Sequence, residues 1–187
     1  MERILKNQTA NPAPLGLFGF AMTTFLLNLH NAGFYQLDVM IMSMGIFYGG
    51  LAQFIAGIIM EWKKGNTFGF TAFCSYGAFW LALVFIWVAL LAGLTAVNST
   101  SLGFFLLIWG LLSCVMFIGT LAGNTIGKLV FGSLVILFFL LAAANFLHNE
   151  TLHTIAGIEG LICAAFAFYE AAALVINGKF GRTVLAL

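Results

Sequence analysis

The stretch Asn11-Pro12-Ala13-Pro14-Leu15-Gly16-Leu17 carries the richest chemistry in this sequence. Two alternating prolines fix their own φ and push each preceding residue out of the α region, so the chain must arrive extended. Pro14 suits the first position of a helix, where a missing N–H costs nothing, with Asn11 or Ala13 as the cap. The free amides of that first turn form an electropositive end, a ready site for an anion. An apolar run follows to about Leu29. A rigid helix start of this kind, at the mouth of an apolar segment, points to something negative entering here.

Further along, polar residues sit inside apolar runs at helical spacing. Thr24, Asn28 and Asn31 follow at i, i+4 and i+7, with Phe20 one turn before Thr24 on the same face. Such side chains must face a partner helix or water rather than lipid. Two readings stand: hydrogen bonds between helices, or a lined path with an aromatic constriction. Gly45, Gly49, Gln53 and Gly57 recur at four-residue steps as a close-packing face, from which Gln53 is expected to hydrogen-bond across. Thr71 and Ser75 lie one turn apart beside Tyr76, and Leu134, Phe138, Leu141 and Asn145 share one face. Glu159 and Glu170 are eleven residues apart, nearly on one face. A carboxylate inside a membrane is a functional candidate by default. For Glu170 the favoured reading is snorkelling or pairing with Lys179, while Glu159 stays open. His30, beside Asn31 at the end of the stripe, is the histidine to test for pH sensitivity.

The elements that must position these residues follow from composition. The 187 residues are 63% hydrophobic and only 7% charged, against about 25% charged in soluble domains. The chain is therefore read as an all-α integral membrane protein. With about 20 residues per crossing there is room for roughly six spans in a single membrane domain, 1–187. The spans are expected near 14–29, 37–60, 67–92, 102–121, 128–147 and 152–176, with tails at 1–13 and 177–187. The polar start and the lack of a small-residue cleavage pattern make the first apolar run a permanent span. Cys74, Cys114 and Cys163 fall inside spans and read as small core residues. No spacing of ligating residues resembles a metal site, and no nucleophile–base pair is apparent, so no metal, cofactor or enzymatic activity is expected. Nothing points to nucleic acid. Six spans put Arg3, Lys6, Lys63, Lys64, Lys128, Lys179 and Arg182 on one side and leave Asp38 and Glu150 on the other. The positive-inside rule then makes both termini cytoplasmic.

The opening motif resembles the Asn-Pro-Ala-Pro-Leu-Gly signature of the acetate uptake transporter family, whose bacterial members are succinate–acetate permeases. Met22 to Asn31, Met44 to Gln53, Lys63 to Phe70, Ser75-Tyr76-Gly77 and Phe180 to Leu185 resemble family segments in the same order. The likeness covers nearly the whole chain. It implies a six-helix bundle with a pore in each subunit, hexameric assembly, and a bacterial or archaeal cytoplasmic membrane. It further implies a hydrophobic constriction at Phe20, Tyr76 and Leu134 from the first, third and fifth spans. Such a ring passes a methyl tail and a small carboxylate, and breaks the water column when empty.

The expected substrate is acetate, with succinate and related acids possible, moving as the anion or with a proton. No Lys or Arg lies within the middle of a span, so hydroxyls, amides and helix ends must meet the charge. The residues expected to contact substrate are Asn11, Pro12, Ala13, Pro14, Leu15, Thr24, Asn28, Asn31, Gln53 and Asn145. Glu159 and His30 are the candidates for proton linkage. The competing reading is a channel for a small neutral solute such as urea or an amide, which also suits six short spans.

Overall fold

The structure, a computed structural model, describes residues 10–94 and 97–187. Arg3 and Lys6 lie outside the described residues. Six helices are long and apolar enough to cross a membrane: α1 Ala13–Asn31, α2 Val39–Lys64, α3 Thr67–Leu91, α4 Ser99–Thr120, α5 Thr125–Leu147 and α6 Glu150–Phe180. These helices overlap the six expected segments, and their ends differ from the expected ones by four residues or fewer. An even number of crossings returns the chain to the side where it began. We call that the terminus side and the opposite one the far side. Lys63, Lys64, Lys128, Lys179 and Arg182 all sit at terminus-side helix ends or beyond them, while Asp38 and Glu150 open helices on the far side.

Every span starts at an Asn or Asp whose side chain accepts a backbone N–H. Asn11 takes Ala13, Asp38 takes Met40 and Ile41, and Asn66 takes Gly69. Asn98 takes Thr100, Asn124 takes Gly127, and Asn149 takes Leu152. The free amides of a helix start need acceptors, and these side chains supply them. Pro14 is the second helical residue rather than the first, because α1 already begins at Ala13. Asn11 does the capping.

Glycine decides how closely the helices approach. α1 lies along α6, where a Cβ at Gly157 would meet the backbone of Ala32 and one at Gly160 would fall inside the Asn28 side chain. α2 lies against α3: Gly49 leaves 2.7 Å between its Cβ position and Trp80, and Gly57 leaves 2.6 Å to Cys74 Sγ. Two stretches of α2, Gly45–Ala52 and Ile55–Glu61, are wound as π-helix. α1 also packs on α2, α4 on α5 and α5 on α6, with lighter contacts of α3 to α1 and to α4. Phe79 on α3 ties these layers together, with ring centroids 5.3 Å from Trp109, 5.7 Å from Phe105 and 5.2 Å from Phe138. The outer surface carries large apolar side chains such as Phe47, Phe85, Ile108 and Val115, as a lipid-facing surface must.

Gly160→Ala should lower the melting temperature of the detergent-solubilised protein, by the ~1–3 kcal/mol that overpacking costs. Gly178→Ala, with nothing near its Cβ position, should raise it slightly by about 0.5–1 kcal/mol. Equal responses would contradict the close α1–α6 approach.

Candidate functional site

Two connected spaces lie on the bundle axis. The first is a vestibule of about 240 Å³ at the terminus side. The tip of α1 enters it through Ala13 and Leu17. Its polar lining comes from Glu61, Asn66, Thr120, Asn124 and Glu170. Two matched arrangements face each other there. Asn66 Nδ2 donates to Glu61 Oε2 at 2.9 Å while its Oδ1 caps α3. Asn124 Nδ2 donates to Glu170 Oε1 at 3.0 Å while its Oδ1 caps α5. Each capping amide therefore joins a helix start to a carboxylate from a neighbouring helix. A negative group beside a helix N-terminus is favoured by the helix dipole. Lys64 Nζ also approaches Glu61 Oε2, at 3.9 Å.

Glu170 departs from expectation. It neither snorkels nor pairs with Lys179. It is buried and held by Asn124, because α6 runs on past it for more than two further turns to Phe180. Glu61, which the sequence reading did not single out, is 1% exposed.

The second space is a throat of about 20 Å³, deeper by one to two turns. Phe20 from α1, Tyr76 from α3 and Leu134 from α5 meet at it, together with Gln53 from α2. All four are buried. The Phe20 and Tyr76 ring centroids are 6.0 Å apart. The Tyr76 hydroxyl lies 2.9 Å from Ser113 Oγ on α4, and Ser113 in turn donates to the Trp109 carbonyl. Tyr76 thus gives its proton to Ser113, and its aromatic face is what borders the throat. Ser113 was not legible as a site residue, since a lone serine in an apolar run looks like packing. Gln53 does not bond across to another helix as expected. Its Nε2 donates to the Gly49 carbonyl one turn back at 2.7 Å.

The polar stripe on α1 is one bonded chain. Asn28 Nδ2 donates to the Thr24 carbonyl at 2.8 Å, and Asn31 Nδ2 donates to Asn28 Oδ1 at 3.1 Å. Asn28 lies against Gly160 of α6, so the stripe sits between helices on the far side of the ring. Asn145 Nδ2 donates to its own helix at Leu141, 2.9 Å away. His30 Nδ1 lies 2.9 Å from the Tyr35 carbonyl. Burial, and then the nearby Asp38, push the Tyr35 phenol above its ordinary pKa. Glu159 borders an apolar groove between α5 and α6 rather than either axial space, and its Oε2 has no hydrogen-bond partner. Of the opening motif, Ala13 reaches the vestibule, Pro12 is buried, Pro14 and Leu15 are half-buried, and Asn11 is exposed at the helix tip.

Removing the Glu61 carboxylate leaves the Asn66 amide without its acceptor. Glu61→Ala should destabilise by the ~1–3 kcal/mol of an unsatisfied buried donor, while Glu61→Gln keeps an acceptor and should lose clearly less. Melting curves in detergent measure the gap, and coincident curves would refute the pairing.

The comparisons with known proteins bear on this geometry. The chain is 55% identical over 179 residues to the succinate-acetate/proton symporter SatP of Escherichia coli (strain K12), covering 95% of each. It is 35% identical to acetate permease A of Emericella nidulans, over 91% of this chain and 63% of that protein. A solved structure of the bacterial acetate channel SatP superposes with a TM-score of 0.94 and 54% identity, covering 96% of this chain and 99% of the other. The model of the GPR1/FUN34/yaaH family matches residues 1–184. With that match and those relatives, this chain belongs to the GPR1/FUN34/yaaH family.

Proposed function

We propose that this protein is a membrane channel or permease for acetate and related small carboxylates, succinate among them. The observation that carries the reading is the throat: three apolar side chains from alternate spans close a space of about 20 Å³ beneath a polar vestibule. A methyl group fits an apolar ring, and a carboxylate is small enough to follow it. The relatives at 55% and 54% identity are named for succinate and acetate, which supports the same cargo here. Among the described residues no Lys or Arg borders the throat or the vestibule, so the anion is held weakly and released readily. Glu61 and Glu170 set two carboxyl groups at the terminus-side mouth. We read the transported species as the anion, alone or together with a proton.

Within this reading the opening motif presents Ala13 and the α1 tip to substrate at the vestibule. Gln53 serves at the throat, and Thr24, Asn28, Asn31 and Asn145 serve beyond it on the far side. Glu159 and His30 remain proton-linkage candidates, Glu159 from the groove between α5 and α6 rather than from the path itself. The excess of Lys and Arg on the terminus side supports cytoplasmic termini. Apolar grooves of about 640 Å³ and 630 Å³ on the outer surface suit lipid or neighbouring subunits, in keeping with a homohexamer in a cytoplasmic membrane.

Uptake of labelled acetate and of labelled urea into proteoliposomes separates the two cargo classes. The reading predicts acetate uptake well above empty vesicles and urea uptake at their level. The reverse pattern would make this a neutral-solute channel. Acetate uptake should also rise as the pH falls toward the free carboxyl value, about 4.3, because the neutral acid then becomes abundant. Phe20→Ala and Tyr76→Ala should each raise butyrate passage relative to acetate, on the order of tenfold, the discrimination that extra methylenes bring in an apolar pocket. Unchanged ratios in both variants would displace the constriction from these residues.

A further inference from the structure

α1, α3 and α5 share more than one residue each at the throat. α3 and α5 both open on the same pattern, Gly65-Asn66-Thr67-Phe68-Gly69 and Gly123-Asn124-Thr125-Ile126-Gly127. In each, the Asn caps the glycine three residues on. Seven residues past each Asn stands a phenylalanine, Phe73 or Phe131, and ten past it stands the ring residue, Tyr76 or Leu134. α1 runs parallel from Asn11, with Leu17 six residues on and Phe20 nine. Each pair is three residues apart, so its members stack on one helix face about 4.5 Å apart along the axis.

All six side chains line the throat. Leu17, Phe73 and Phe131 border the vestibule as well, whereas Phe20, Tyr76 and Leu134 do not. The first three therefore form a separate layer on the terminus side. Phe131 bridges the layers, with its ring centroid 6.1 Å from that of Tyr76. Phe73 is fixed differently. Its ring occupies the place where a side chain on Gly16 would be, since a Cβ there would collide with three of its ring carbons. The glycine of the opening motif is thus a seat for the ring of Phe73.

We propose that the throat is closed by two apolar rings in series, Phe20–Tyr76–Leu134 and, one turn nearer the termini, Leu17–Phe73–Phe131, with Gly16 as the positioning residue that holds Phe73 at the wall. Two dry layers seal against water even when one is lost, because an apolar constriction breaks the water column by itself. A displaced Phe73 ring can move into the throat and vestibule that it already borders. The second consequence rests on the carboxylate reading above. The first does not.

Stopped-flow osmotic shrinkage of proteoliposomes tests the seal without any assumed cargo. Phe20→Ala and Phe73→Ala should each keep the water permeability of the unmodified protein. The double variant should exceed it by about tenfold as the column becomes continuous. Phe131→Ala replaces Phe73→Ala should that protein fail to elute as a single species. A Phe20→Ala protein as leaky as the double variant, or a double variant as tight as the parent, would overturn the second ring. For the seat, Gly16→Ala should slow acetate uptake about tenfold, and adding Phe73→Ala should restore it to at least the parental rate. A double variant as slow as Gly16→Ala alone would overturn that role. If the parent protein moves no acetate at all, the cargo reading fails, and the water measurement still decides the rings.

Discussion

The structure depends on keeping the middle of the bundle dry while leaving a way through it. Phe20, Tyr76 and Leu134 come from three different helices and close on about 20 Å³. Their positions hold only if α1, α3 and α5 hold theirs. Those helices are fixed from behind by α6, α2 and α4, through contacts as close as Gly160 on Asn28 and Gly49 on Trp80. Tyr76 is held at a second point, by Ser113 on α4. Core packing at this density resists gradual deformation, so a gate built from it should move by discrete side-chain swings.

The bilayer imposes the second condition. Backbone groups along a span must find partners inside the protein, and at each helix start an Asn or Asp side chain supplies one. At two of them, Asn66 and Asn124, the same amide group also holds a buried carboxylate. Structural need and chemistry are met by one side chain. The cap secures the helix, and its Nδ2 places Glu61 or Glu170 at the mouth of the path. The result is a polar, acidic vestibule directly below an apolar throat, an abrupt change of environment within a turn or two of helix.

Much of this was legible in the sequence, for identifiable reasons. The six spans follow from long apolar runs that nothing else could bury, and the one-sided placement of Lys and Arg fixes their number. Phe20 and Tyr76 were locatable because their local motifs resemble family segments. The failures have physical causes too. Glu170 was expected near the helix end, and α6 continues past it to Phe180, which carries the carboxylate into the protein. Gln53 was expected to reach across to another helix, but its amide finds a nearer carbonyl one turn back at Gly49, as Asn28 and Asn145 do on their own helices. The stripe of Thr24, Asn28 and Asn31 was correctly placed on one face, yet periodicity does not say which neighbour a face meets, and Asn28 meets Gly160. Ser113 and Glu61 gave no signal in one dimension, since each gains meaning only from a partner brought by folding. The repeated Gly-Asn-Thr-x-Gly was the available clue to the matched caps of α3 and α5.

Chloride offers the most direct test of a dry throat. It is a small anion like acetate but has no methyl group, and it cannot shed its charge by taking up a proton. Uptake of labelled acetate and labelled chloride should be compared in the same proteoliposomes at equal concentration. An apolar throat predicts acetate uptake well above that of empty vesicles and chloride uptake indistinguishable from theirs. Chloride entering as fast as acetate would mean a wet anion pore and would contradict the account.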